Sequence, residues 1–232
     1  MQDSSPQRPI AYTLRVLAAL LRYPDAALRA AVPELQEALD REAALPLPRV
    51  LELHALLQRL QREDAFITEA EFVELFDRGR STALHLFEHV HGDSRDRGPA
   101  MVDLTQTYER AGLLLDPGEL PDHLPVVLEF ASTQPPQSAA AFLAEFAHIL
   151  RAIFSALQRR NSAYASVLAA LLELAGERAE AVEIPPEPAL DDSWAEPEVF
   201  AGCASPGQSR PGEAQPVHIV RKQPSNASGA LA

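Results

Sequence analysis

Apolar side chains recur along most of the chain at intervals of three and four, the spacing that lines one face of a helix. Leu14, Leu17, Ala18 and Leu21 form the first stripe, ending near Tyr23-Pro24. Leu28, Ala31, Val32, Leu35 and Leu39 continue the period, with Pro33 either kinking the segment or opening a new turn. Beyond Pro46-Leu47-Pro48, the positions of Val50, Leu53, Leu57 and Leu60 predict a third helix. Phe72, Leu75 and Phe76 predict a fourth, with Thr68 and Glu71 spaced as a capping box, although the third and fourth could run as one. Arg78-Gly79-Arg80 breaks the pattern, and Ser81 is placed to cap a short helix through Leu84, Leu86 and Val90.

Arg97-Gly98-Pro99 opens another helix, carrying Met101, Leu104 and Tyr108 and closed by Gly112, a residue that tolerates the left-handed conformation at a helix end. After a structured loop to Pro121, Asp122 is expected to cap the next helix, with Pro125 in its first turn and Leu124, Val127, Leu128 and Ala131 as its buried stripe. Past Gln134-Pro135-Pro136, the run Phe142, Phe146, Ile149, Ile153 and Leu157 predicts one long helix. Asn161-Ser162 caps or kinks the entry to a last helix through Tyr164, Leu168, Leu171, Leu172 and Ala175, closed by Gly176. From about Ala181 prolines recur and the periodicity vanishes, the composition of a segment that cannot offset its ordering entropy by burial. The expected fold class is all-α: a single helical bundle over residues 1–180 and a disordered, acidic, proline-rich tail over 181–232, with no internal repeat and no strand alternation.

Charge narrows the functions such a bundle can serve. A formal net charge of −13 disfavours nucleic acid and anionic membrane surfaces as partners and favours a basic one. A single cysteine, Cys203, excludes an internal disulfide and a cysteine-based metal site within one chain, which fits a reducing, cytoplasmic compartment. Arg15 interrupts the first apolar segment, so that segment is not a signal peptide, and no stretch is long and apolar enough to span a bilayer.

Three constellations offer chemistry. His85, His89 and His91 with Asp93 have metal-like composition, but no general-base glutamate stands in the usual helical spacing; solvent-facing histidines at a helix end are the plainer use, and no bound metal or cofactor is expected. Arg78, Arg80, Arg95 and Arg97 could converge on an anion, yet Asp77, Asp93 and Asp96 are interleaved with them, which favours an internal ion-pair network. Asp122-His123 could be an acid–base pair, but no nucleophile accompanies it, so the chain does not read as an enzyme.

Binding is better served than catalysis. Phe72, Phe76, Tyr108, Leu124, Leu128 and Phe130 have the makings of a groove for a partner's amphipathic helix, each being individually compatible with the core. Glu74, Asp77, Asp122 and Glu129 could rim that groove and attract a basic segment, with His123 beside them. In the tail, residues 190–200 place Trp194 and Phe200 among acidic side chains, the composition of a linear docking motif.

Two short stretches are more distinctive than anything else in the chain: His91-Gly92-Asp93-Ser94-Arg95-Asp96-Arg97-Gly98 and Glu119-Leu120-Pro121-Asp122-His123-Leu124-Pro125 running on to Phe130. With Phe72-Val73-Glu74-Leu75-Phe76-Asp77 upstream and Tyr108-Glu109-Arg110-Ala111-Gly112-Leu113 between them, they resemble the assembly chaperones of respiratory nitrate reductase, the NarJ-type family, from Thr13 to about Gly176. In the wider superfamily of molybdoenzyme leader-peptide chaperones, a Pro-Asp-His element like residues 121–123 is associated with peptide recognition. The resemblance implies a cytoplasmic chaperone whose client is the apo form of the catalytic (alpha) subunit of nitrate reductase, bound through its N-terminal leader-like segment. It implies that molybdenum cofactor and iron–sulfur clusters are inserted while the client is held, with cofactor-delivery proteins as further partners, and that the chaperone is absent from the mature enzyme. Trp194-Ala195-Glu196-Pro197 followed by Phe200 resembles part of the family's C-terminal region. Two other classes compete: a metal-dependent hydrolase on His85, His89, His91 and Asp93, and a structural helical subunit of the reductase.

Overall fold

Ten α-helices account for the architecture of the described residues, 9–91 and 96–182 of the computed structural model. They are α1 (Ala11–Leu20), α2 (Ala26–Glu42), α3 (Leu47–Arg62), α4 (Ala65–Phe72), α5 (Glu88–His91), α6 (Arg97–Arg110), α7 (Leu124–Ser132), α8 (Pro136–Glu145), α9 (Ala147–Arg159) and α10 (Ala165–Leu174). Among these residues there is no strand, and one isolated antiparallel bridge joins His85 to His123. No single helix is long and apolar enough to cross a membrane. Trp194, Phe200 and Cys203, like all of the tail from residue 183 onward, lie outside the described residues.

Helix α1 is central, packing against α7, α2 and α10, while α10 also meets α9, α3 and α8. Its stripe of Leu14, Leu17, Ala18 and Leu21 is buried, as are Val16 and Leu20 beside it. In α10 every residue from Ser166 to Leu172 is buried, the pattern of a helix enclosed on all sides. The first turn of α1 is closed from a distance: Tyr12 N–H and Thr13 N–H donate to the Glu42 carboxylate at 3.1 and 2.6 Å. A carboxylate there satisfies orphan donors and opposes the positive end of the helix.

Several boundaries differ from the sequence expectation, each for a local reason. Pro33 neither ends nor restarts α2, which runs through it from the cap at Asp25, whose carboxylate accepts from Leu28 N–H at 2.8 Å. The break between α3 and α4 falls at Glu63-Asp64; Asp64 caps α4 through Phe66 N–H, so the Thr68–Glu71 capping box does not form. Thr68 is instead buried one turn into α4, donating to the Ala65 carbonyl, and Glu71 pairs with Arg59. The helix expected from Ser81 to Val90 is reduced to a 3₁₀ turn at Arg80–Thr82, an extended run, and the short α5. The helix expected through Phe142 and Leu157 is two, α8 and α9, bent by 70° at Phe146. Gly112 and Gly176 take the left-handed conformation after α6 and α10, at φ +81° and +79°.

Candidate functional site

The site grows from the bridge. Leu124 N–H donates to the Leu84 carbonyl at 2.9 Å and Leu86 N–H to the Asp122 carbonyl at 3.0 Å, which lays residues 84–86 against 122–124. Asp122 is thereby carried inward to zero exposure. It does not cap α7: His123 occupies the cap position with extended backbone and makes no side-chain cap bond, and Pro125 follows in the first turn. The Asp122 carboxylate instead accepts from Phe87 N–H at 3.1 Å, with His85 Nδ1 at 3.4 Å and Arg97 Nη2 at 3.6 Å. Burial alone would raise this carboxyl, but His85, the Phe87 N–H and Arg97 together hold it below its ordinary value.

Two imidazoles stack above that carboxylate, His85 on His123, with ring centres 5.0 Å apart and planes at 28°. They are shifted in opposite directions. Asp122 beside it raises His85, whereas burial, and then the charge of His85, lowers His123. The sequence neighbours Asp122 and His123 therefore form no pair; His123 Nδ1 lies 3.9 Å from Glu119 instead. Tyr108 is buried against this point, its hydroxyl donating to the Pro121 carbonyl at 2.7 Å and its ring 4.6 Å from Phe130.

On the other flank, the end of α4 widens into a π turn at Val73–Asp77, closed by Arg78 N–H donating to the Val73 carbonyl. One extra residue in the turn brings Phe76 beside Phe72, with centres 4.8 Å apart, and edge-on to Tyr164 at 5.2 Å. Tyr23 meets Phe72 edge-on at 6.0 Å.

Three adjoining hollows open over these groups. The first, of about 590 Å³, has Tyr108, Phe130 and Val126 in its lining, and the Arg22–Glu129 ion pair of 2.8 Å lies at it. The second, of about 300 Å³, is lined by Phe72, Phe76, Asp77, His85 and His123 and shares Arg22 and Glu119 with the first. The third, of about 530 Å³, includes Tyr23, Phe66, Glu69, Glu74 and Arg78 and shares Tyr23 with the second. Of the candidates read from sequence, Tyr108, Glu129 and Phe130 line the first hollow, and Phe72, Phe76, Asp77 and His123 the second. Asp122, Leu124 and Leu128 line none of the three and are fully enclosed. Sequence reasoning missed Arg22, Tyr23, Phe66 and Glu119; an aromatic at a helix end beside Pro24 was the available signal for Tyr23.

The other constellations resolve differently. His85 turns to Asp122, while His89 Nε2 donates to the Ala83 carbonyl at 2.9 Å, so the two imidazoles serve separate partners. The His91 side chain and Asp93 lie outside the described residues. Arg78 pairs with Glu74, and Arg97 with Glu88 as well as Asp122. Arg95 lies outside the described residues.

Comparison with known proteins adds the following. The family model for the nitrate reductase delta subunit matches residues 22–170. Over 162 residues, 70% of this chain and 69% of the other, the chain is 46% identical to the nitrate reductase molybdenum cofactor assembly chaperone NarJ of Escherichia coli (strain K12). A protein of Bacillus subtilis (strain 168) described as a chaperone of the same kind is 34% identical over 164 residues, 69% of this chain and 86% of that one. A solved structure described as a redox enzyme maturation protein from Archaeoglobus fulgidus superposes with a TM-score of 0.52 over 76% of this chain and 100% of that chain. Its 18% identity makes that likeness one of fold alone.

Proposed function

The chain belongs to the nitrate reductase delta subunit family, and on that premise we propose that it is a nitrate reductase molybdenum cofactor assembly chaperone that binds the apo form of the reductase's catalytic subunit. The observation that carries this reading is the 46% identity to an assembly chaperone across the segment that contains all ten groove and rim candidates. The three adjoining hollows support it, since a groove with aromatic anchors and an acidic rim suits an amphipathic basic segment. The N-terminal leader-like segment of the client is the occupant.

The mechanism is differential binding. The chaperone has affinity for the cofactor-free client, so it raises the population of the state that accepts the molybdenum cofactor and iron–sulfur clusters. Once insertion closes that state, the affinity is lost and the chaperone departs, in the cytoplasm and before the client reaches the membrane. No bond is made or broken by this chain.

Isothermal titration calorimetry of the chain against the N-terminal segment of the catalytic subunit from the same organism tests the reading, with a leader from an unrelated molybdoenzyme as control. Selective binding at micromolar or tighter affinity with a negative heat-capacity change is expected. No binding of the cognate segment would sink it. Stable presence of the chain in the washed, active reductase would show it to be a structural subunit instead.

A further inference from the structure

The groove is not electrically uniform, and its imbalance is concentrated where the second and third hollows meet at Tyr23. Tyr23 is 47% exposed and Phe66 on α4 is 79% exposed, so the two present surface to solvent at the third hollow. Glu69, Glu71 and Glu74 share the third hollow with them, and Asp77 lies beside Tyr23 in the second. Glu71 is neutralised by Arg59 and Glu74 by Arg78. Glu69, by contrast, accepts from the neutral Tyr23 hydroxyl at 2.9 Å, and Asp77, which lines the second hollow with Arg22 and His85, is in no ion pair among the described residues. Both negative charges act on the same ring: the hydrogen bond to Glu69, then burial, then the fields of Glu69 and Asp77 hold the Tyr23 phenol above its ordinary value.

An aromatic face flanked by uncompensated carboxylates is what a guanidinium or ammonium group is drawn to, by cation–π attraction and charge-assisted hydrogen bonds together. The second hollow, with Phe72 and Phe76 in its lining, lies directly beside it, on the far side of Tyr23. We propose that Tyr23, Glu69 and Asp77 form a subsite for a cationic side chain, arginine or lysine, of a bound client segment whose neighbouring apolar residue enters the hollow of Phe72 and Phe76. This rests on the reading that the groove holds a client segment, and it fixes direction: the basic part of the segment lies over α4 and the apolar part towards Tyr108 and Phe130.

The test uses the full chain, wild type and with Glu69→Gln and Asp77→Asn together, against the N-terminal segment of the catalytic subunit and the same segment with its arginines and lysines replaced by neutral citrulline. Both substituted side chains reach the surface, so circular dichroism and melting should match the wild type. The double variant should bind the native segment roughly tenfold more weakly at low salt, with a smaller loss at high salt, and should bind the citrulline segment as the wild type does. Equal weakening for both segments, or none for either, would overturn the subsite. Failure of the native segment to bind the wild type would instead strike the client reading. In that case a leucine–arginine amphipathic peptide decides the subsite alone: amide shifts at Tyr23, Glu69 and Asp77 that vanish in the variant uphold it, and their absence overturns it. Concentration-dependent dimerisation abolished by the variant would also overturn it, by making a second copy of the chain the occupant.

Discussion

Asp122 lies enclosed beneath the candidate groove and serves the fold there. Its carboxylate joins a backbone N–H of the 84–87 segment to the Arg97 guanidinium and the His85 imidazole, and it has no exposure through which a ligand could reach it. Asp122→Ala should therefore destabilise the chain by about 2–4 kcal/mol in urea denaturation, because it leaves the Phe87 N–H, the Arg97 guanidinium and the His85 imidazole without their shared partner. The histidines above it titrate in opposite senses. His123 is lowered in the fold, so protonation favours the unfolded chain, and stability is lost as pH falls from its ordinary value towards the folded one. His85 is raised, and its contribution is present below its ordinary value and lost as pH rises through the folded one. His123→Gln leaves only the second effect, so its melting temperature, relative to wild type, should rise on acidification from about pH 7.5 to 5.5. An unchanged difference across that range would show that the imidazole pair is uncoupled from folding. The Pro-Asp-His stretch was legible in the sequence as unusual, but the partner of Asp122 was not, because His85 stands far upstream and nothing in local spacing links the two.

At the scale of elements, the π turn and the 3₁₀ turn that follows it meet with no room to spare. A Cβ on Gly79 would overlap the Thr82 hydroxyl and the Leu75 carbonyl, which bond to each other across it. Gly79→Ala should cost about 1–3 kcal/mol in a thermal melt and disturb the Phe72–Phe76 wall, since the neighbour that must move is partly backbone. Pro33 makes the opposite case. It is exposed within α2, and its ring removes a helical hydrogen bond. Pro33→Ala should stabilise the chain by about 1–3 kcal/mol, read from the same melt. Regular stripes such as those of α1, α3 and α10 were legible because burial on one face, or all round, is written in their spacing. The bend at Phe146 was not. The three-and-four spacing of Phe142, Phe146, Ile149 and Ile153 continues through it, while the backbone turns at φ −96°, ψ 3° with Phe142 and Phe146 packed edge-on at 5.3 Å. Periodicity records which side chains are buried and is blind to a change in helix direction that keeps them so.

For the whole molecule, the described chain keeps making contacts with the bundle past its last helical stripe. After α10 the chain turns back along α9, with Arg151 paired to Glu177 at 2.8 Å and Val182 N–H donating to Ser155 Oγ at 2.9 Å. Deleting everything after Val182 should leave the melting temperature unchanged, whereas deleting everything after Gly176 should lower stability by about 0.5–2 kcal/mol. Equal melting of the two truncations would show those contacts to be idle. The strip that joins 84–86 to 122–124 has a kinetic meaning of its own. Its Phe87–Asp122 bond spans a sequence separation of 35, so the stretch carrying α5, α6 and the loop to Pro121 is a lariat tied at its neck. Closing a ring of that length costs conformational entropy before any reward arrives, and the knot is made of two backbone bonds and one buried carboxylate. The amides of Leu86 and Leu124 should accordingly lose hydrogen-exchange protection together and ahead of α1 and α10, so the neck sets last in folding and loosens first.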